Sequence, residues 1–128
     1  MTSEMIAEIG LDALERLELE LTDHGYLHVP ANLAQRFFPE DVLAPVMRGA
    51  AELWLYPMRG AAGGGLILKQ RNAAGDRSVL IWEALPEGTP SGRMPAFWDG
   101  QSGALRVALA PRVEPGRRAQ TLMPAGGR

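Results

Sequence analysis

His24 and His28 stand four residues apart, with Asp23 beside the first. On a helix that spacing puts two imidazoles on one face, within reach of a single metal ion. The flanking residues argue against a helix. Leu17, Leu19 and Leu21 alternate with Glu18, Glu20 and Thr22, a period of two that marks a half-buried strand, and Asp23-His24-Gly25 reads as the turn that ends it. Four extended residues span about 13 Å, too far for one metal to hold both rings. Neighbours on a strand point to opposite faces, so Asp23 and His24 do not make an acid/base dyad by adjacency.

Other candidate chemistries fail on context. Gly60-Ala61-Ala62-Gly63-Gly64-Gly65 offers bare backbone amides, but a phosphate loop opens a helix and carries Lys with Ser or Thr, whereas this run leads into the strand-like Leu66-Ile67-Leu68. It reads as a connector or a hairpin bulge. Ser3, Ser78, Ser91 and Ser102 have no base close in sequence and no Gly-x-Ser-x-Gly elbow. The acids of the N-terminal part occupy outward positions, where solvation leaves a carboxylate ordinary. Cys is absent, which excludes disulfides, thiolate catalysis and Cys-ligated metals. The sequence therefore supplies no catalytic, cofactor-binding or metal-ligating set.

Charge is what the sequence distributes unevenly. Up to Val46 there are nine carboxylates against Arg16 and Arg36, and the remainder carries eleven cations against six carboxylates, so an overall charge of −2 hides two opposed parts. Such sorting speaks to what a surface meets rather than to fold. The 128 residues suit one domain, and 46% hydrophobic with 22% charged residues is a globular composition. Acids at the N-terminus and the lack of a long apolar run predict a cytoplasmic protein that does not enter a membrane. Every cation but Lys69 is Arg, which with abundant Ala, Gly and Pro suggests a bacterial source.

The elements that must carry these residues are short. Met5, Ile6, Ile9, Ala13 and Leu17 recur at helical spacing behind Ser3 as N-cap. Tyr26 to Val29 is expected to pair back on the first strand. Pro30 then opens a short helix with Leu33 and Phe37 on one face, and Pro39 ends it. Strands are expected at Glu52–Tyr56, Leu66–Arg71 and Arg77–Glu83, the last two joined by the five-residue loop Asn72–Asp76. Ala96–Asp99 and Ala104–Leu109 form a second hairpin around Gly100-Gln101-Ser102-Gly103. Pro86 to Pro95 holds three prolines and two glycines and is expected to be an irregular surface loop. The predicted fold is α+β: a mostly antiparallel sheet or small barrel over residues 1–111, helices confined to the region before Val46, none between Leu66 and Leu109, and a flexible tail at 112–128.

Leu21 to Asp41, with its strand, Gly25 turn, second strand, Pro30 and short helix, resembles the repeating unit of the AbrB and MraZ swapped-hairpin DNA-binding proteins. The resemblance covers about twenty residues. It implies that Gly25 makes the turn, that Pro30 opens the helix, and that two chains interleave into a dimeric barrel. DNA binders grip phosphate with clustered cations, and this stretch is the acidic one, holding only Arg36.

Three functions follow as expectations. The first is a non-catalytic accessory protein that docks on a protein partner or on a second copy of itself through an acidic N-terminal and a basic C-terminal surface, with Glu18, Glu20, Arg59, Arg93, Trp98 and Arg112 as contact residues. Trp98, at the mouth of a turn, is the expected exposed anchor, while Trp82, between apolar neighbours, is expected in the core. A second is a DNA-binding regulator using Arg48, Arg59, Arg93, Arg112, Arg117 and Arg118, with binding that is weak and indifferent to sequence. The third is a small enzyme or ligand-binding barrel using Asp23, His24 or His28.

Overall fold

The computed structural model describes residues 15–60 and 64–110. The helix expected behind Ser3 and the tail expected at 112–128, Arg112 included, lie outside the described residues, as does part of the glycine-rich run.

Alternation of apolar and polar residues sets the strands. β1 (Leu17–Leu21) buries every second residue, and β2 (Tyr26–Val29) returns from it through the Gly25 turn. α1 (Ala31–Phe37) follows Pro30 directly and turns Leu33, Ala34 and Phe37 inward. β3 (Val42–Arg48) and β4 (Glu52–Pro57) form a hairpin. β5 (Leu66–Ile67), β6 (Lys69–Gln70) and β7 (Arg77–Leu80) come next, then a 3-10 turn at Trp82–Ala84. β8 (Gly92–Asp99) and β9 (Ala104–Ala108) make the last hairpin.

Among the described residues these strands form one antiparallel sheet in the order β5-β3-β4-β9-β8-β1-β2-β7-β6. The two ends of that order, β5 and β6, are consecutive in the chain and separated only by Leu68. The sheet thus curls into a nearly closed barrel, which leaves little unpaired edge. At the seam the Leu68 amide donates to the Asp41 carbonyl at 2.8 Å, and Arg77 Nε donates to Asp41 Oδ1 at 3.0 Å. Asp41 itself has φ +58, an uncommon conformation for a residue with a Cβ.

Inward residues fill the barrel. Leu27, Val29, Leu43, Leu53, Leu55, Leu105 and Val107 are fully buried, and no polar or charged residue is buried among the described ones. α1 lies at the end where β1 begins. Its Phe37 stacks on Trp98 with centroids 4.8 Å apart, and Arg36 bridges Glu15 at 2.8 Å. Pro30 provides no side-chain cap, so Asp76 of the β6–β7 loop caps α1 from outside, its Oδ1 accepting from the Ala31 amide at 2.9 Å. Asn72 holds that carboxylate through its own amide at 3.0 Å.

The mostly antiparallel sheet with a short helix is as expected, and several local expectations need correction. β3 was not foreseen, because Pro45 and the flanking glycine suggest a break. The strand tolerates Pro45 because beyond Leu43 it has no partner on the β5 side. β8 starts at Gly92, inside the segment expected to be irregular. Pro95 fits there because it pairs with Glu18 of β1 and lies just before the first β8 residue paired with β9. The strand expected at Arg77–Glu83 stops at Leu80. Ile81, at φ −112 and ψ 0, leads into the 3-10 turn, so the expectation of no helix between Leu66 and Leu109 fails by one turn.

Candidate functional site

A concavity is built at the opposite end of β1 from α1. The β1–β2 turn is closed by the Thr22 amide on the Tyr26 carbonyl at 2.8 Å and the Gly25 amide on the Thr22 carbonyl at 3.1 Å. Gly25 has φ +88, which only glycine adopts without strain. Its carbonyl accepts from the Ile81 amide at 2.9 Å, fixing the point where β7 leaves the sheet. Since Ile81 turns inward, Trp82 must turn outward, and its side chain lies against Gly25. A Cβ at position 25 would sit 2.7 Å from the Trp82 Cβ. Glycine is required there twice, once for φ and once for space.

The segment from Glu83 to Ser91 completes the walls. Thr89 folds it back on itself, its amide donating to the Pro86 carbonyl at 3.2 Å and its hydroxyl to the same oxygen at 2.6 Å. The resulting cleft has a volume of about 450 Å³ and is lined by Leu21, Thr22, Asp23, Gly25, Trp82 and Glu83 on one side and Leu85 to Thr89 with Ser91 on the other. Among the described residues its lining carries three carboxylates, Asp23, Glu83 and Glu87, and no Lys, Arg or His. Trp82 is 64% exposed. Leu80 (51%) and Tyr26 (42%) continue the apolar surface, being directly opposed across β7 and β2.

The two tryptophans singled out in the sequence have therefore exchanged roles. Trp82, expected in the core, is exposed because among the described residues no second layer covers this side of the sheet. Trp98, expected as the exposed anchor, is half-buried under Phe37. The alternation Val79-Leu80-Ile81-Trp82 held the signal for Trp82, since a strand covered on one face must send Leu80 and Trp82 to the other.

A second, smaller cleft of about 290 Å³ collects Glu18, Glu20, His28, Arg71, Asp76 and Arg93. It brings together three of the sequence-designated contact residues, with Arg93 3.6 Å from Glu18 and directly opposite Glu20 in the β1–β8 ladder. The acidic and basic parts of the chain are interleaved here rather than held apart. Burial, followed by the Arg71 charge, holds the His28 imidazole below its ordinary pKa, against the pull of Glu20 and Asp76. Ser78 lies directly across β7 from His28, a pairing invisible in the sequence, yet among the described residues no hydrogen bond joins them. A nucleophile needs that hydrogen bond to be activated. His24 is exposed in the β1–β2 turn, away from His28, so the two are not brought to a common ligand position. Arg59 is exposed after β4 and lines neither cleft.

A third cluster, on the outer face of β4, β8 and β9, stacks Arg106 between Trp54 (4.6 Å) and Phe97 (4.7 Å), while Arg48 covers Trp54 at 4.8 Å. Arg106 also donates to both Glu52 oxygens at 3.1 and 3.0 Å and to Asp99 at 3.2 Å. The hydrogen bond from Arg106 holds Glu52 below the usual carboxylate range, the Trp54 indole N–H assisting against burial. For Asp99 burial works upward, and the Ser102 amide, Arg106 and the Gln101 amide outweigh it. These groups satisfy one another, so the cluster stiffens the sheet.

Among the described residues no three His, Asp or Glu side chains stand close enough to hold a metal ion, and no helix is long and apolar enough to cross a membrane. No family model, curated protein or solved structure matches this chain. Its function has to be argued from its own surface.

Proposed function

We propose that this protein is a non-catalytic interaction module that docks on a polypeptide partner through the face formed by Tyr26, Leu80 and Trp82. The observation that carries this reading is the exposure of three large apolar side chains together, Tyr26 opposite Leu80 and Trp82 two residues further on, whereas the exposed Val46 and Ile67 stand on β3 and β5. Aromatic groups rimmed by polar residues are the usual anchors of protein interfaces, whereas isolated exposed apolar residues are not informative. The acid-rich and arginine-rich parts of the sequence add charge steering, which raises encounter rates and weakens with salt. Contacts by Glu18, Glu20, Arg59, Arg93 and Arg112 belong to that steering.

The hairpin that resembles swapped-hairpin DNA-binding proteins finds both of its neighbours, β8 and β7, within this chain. A cleft with three carboxylates repels a phosphate backbone, which also favours a protein partner. The test is photocrosslinking in the source cells, with a benzophenone amino acid at Leu80 and, as control, at Gln101 on the β8–β9 turn. Discrete polypeptide adducts from position 80 alone are expected. No adduct, or the same adducts from both positions, would contradict an interaction face at this strip.

A further inference from the structure

We propose that the cleft beside Trp82 is a receptor for an arginine or lysine side chain on an extended, basic segment of the partner. The inference rests on the docking face argued above and assigns the chemistry of what it binds. Charge complementarity is the first support. Asp23, Glu83 and Glu87 come from two separate segments, the β1–β2 turn and the 83–91 wall, and line one cavity that has no cation among its described lining residues. A cation entering it meets carboxylates from both sides.

The second support is the state of the indole. Several aromatic faces in this protein are already covered by arginine: the partly buried Trp54 by Arg48 and Arg106, Phe97 by Arg106, and the buried Phe37 by Arg36. Among the described residues Trp82 has no such partner, although tryptophan is the strongest cation–π acceptor. The root of its side chain lies against Gly25. An exposed aromatic face beside carboxylates from two segments is the arrangement that takes a guanidinium or ammonium group.

A peptide, rather than a free small cation, is favoured by the strip that leaves the cleft. Leu80 ends β7 two residues before Trp82, and Tyr26 stands opposite it on β2. A ligand with a cation in the cleft and an apolar side chain on this strip covers both features, and an extended chain can present both.

The experiment is a fluorescence-anisotropy titration of the full chain with a labelled peptide of alternating arginine and leucine. Controls are a glutamate–leucine counterpart and competition by arginine amide. Binding of the basic peptide alone is expected. It should weaken roughly three- to tenfold in Trp82→Ala and by a similar factor in the double variant E83Q/E87Q, whose remaining binding should depend less on salt. Both variants alter exposed residues, and an unchanged melting temperature shows that each folds. Equal binding of the glutamate peptide, or full affinity in both variants, would overturn the proposal. So would complete displacement by arginine amide at concentrations comparable to the peptide, which would mark a small-cation site. Should the peptide fail while crosslinks at Leu80 persist, the docking face stands and the basic occupant is wrong.

Discussion

Gly25 joins the turn, the end of β7 and the seat of Trp82. Gly25→Ala places a Cβ at φ +88 and 2.7 Å from the Trp82 side chain, so a loss of about 1–3 kcal/mol is expected by thermal or urea unfolding. The cleft should be reshaped as well, since the indole must move. Gly25 was legible in sequence as a turn residue, but its contact with Trp82, fifty-seven positions away, was not. Glu52 gives a pH dependence. Arg106 depresses its pKa in the folded state, so the stabilisation is fully present above the ordinary carboxylate pKa and is lost as pH falls through the depressed value. Glu52→Gln should therefore cost on the order of 1 kcal/mol at neutral pH and flatten the acid limb of the stability curve. An unchanged acid limb would show that the Arg106–Glu52 pair adds nothing.

β1, β2 and the β8–β9 hairpin were readable because each buries one face, and a period of two survives in Leu17-Glu18-Leu19-Glu20-Leu21. β3 and the start of β8 were not, because Pro45 and Pro95 suggest loops until the missing neighbours at those positions are known. Local pattern reports which face is buried; whether a proline is harmless depends on pairing partners distant in sequence. The same limit hid the cap of α1, whose acceptor, Asp76, lies forty-five residues beyond Ala31. Asp76→Ala should lower the melting temperature, and Asp76→Asn, which keeps an acceptor, should restore part of the loss. In the barrel interior Leu53, Leu55 and Leu105 are fully buried, and truncating any one to Ala should cost about 2–5 kcal/mol. By contrast, Trp82→Ala should change stability by no more than about 0.5 kcal/mol. A large loss there would mean that the indole is part of the core.

At the scale of the whole molecule, closure of the sheet is the feature least visible in sequence. It depends on Leu68 separating two short strands that pair with opposite ends of the sheet, and nothing local marks that residue as a corner. Closure also mixes what the sequence sorts. β1 from the acidic part lies beside β8 from the basic part, so Glu18 meets Arg93, and the carboxylates of the Trp82 cleft come from both. Charge-steered association should fall as salt is raised, while a complex held by the apolar strip should persist. The central claim is that Trp82, Leu80 and Tyr26 form one exposed contact face. Hydroxyl-radical footprinting tests it most directly, applied to the purified chain and to the chain in extract of its source cells. In the purified chain Trp82 should oxidise rapidly and Trp98 slowly. In extract Trp82, Leu80 and Tyr26 should become protected together, while the Gln101-Ser102 turn is unchanged. Trp98 oxidising as fast as Trp82, or a strip equally reactive in both samples, would contradict it.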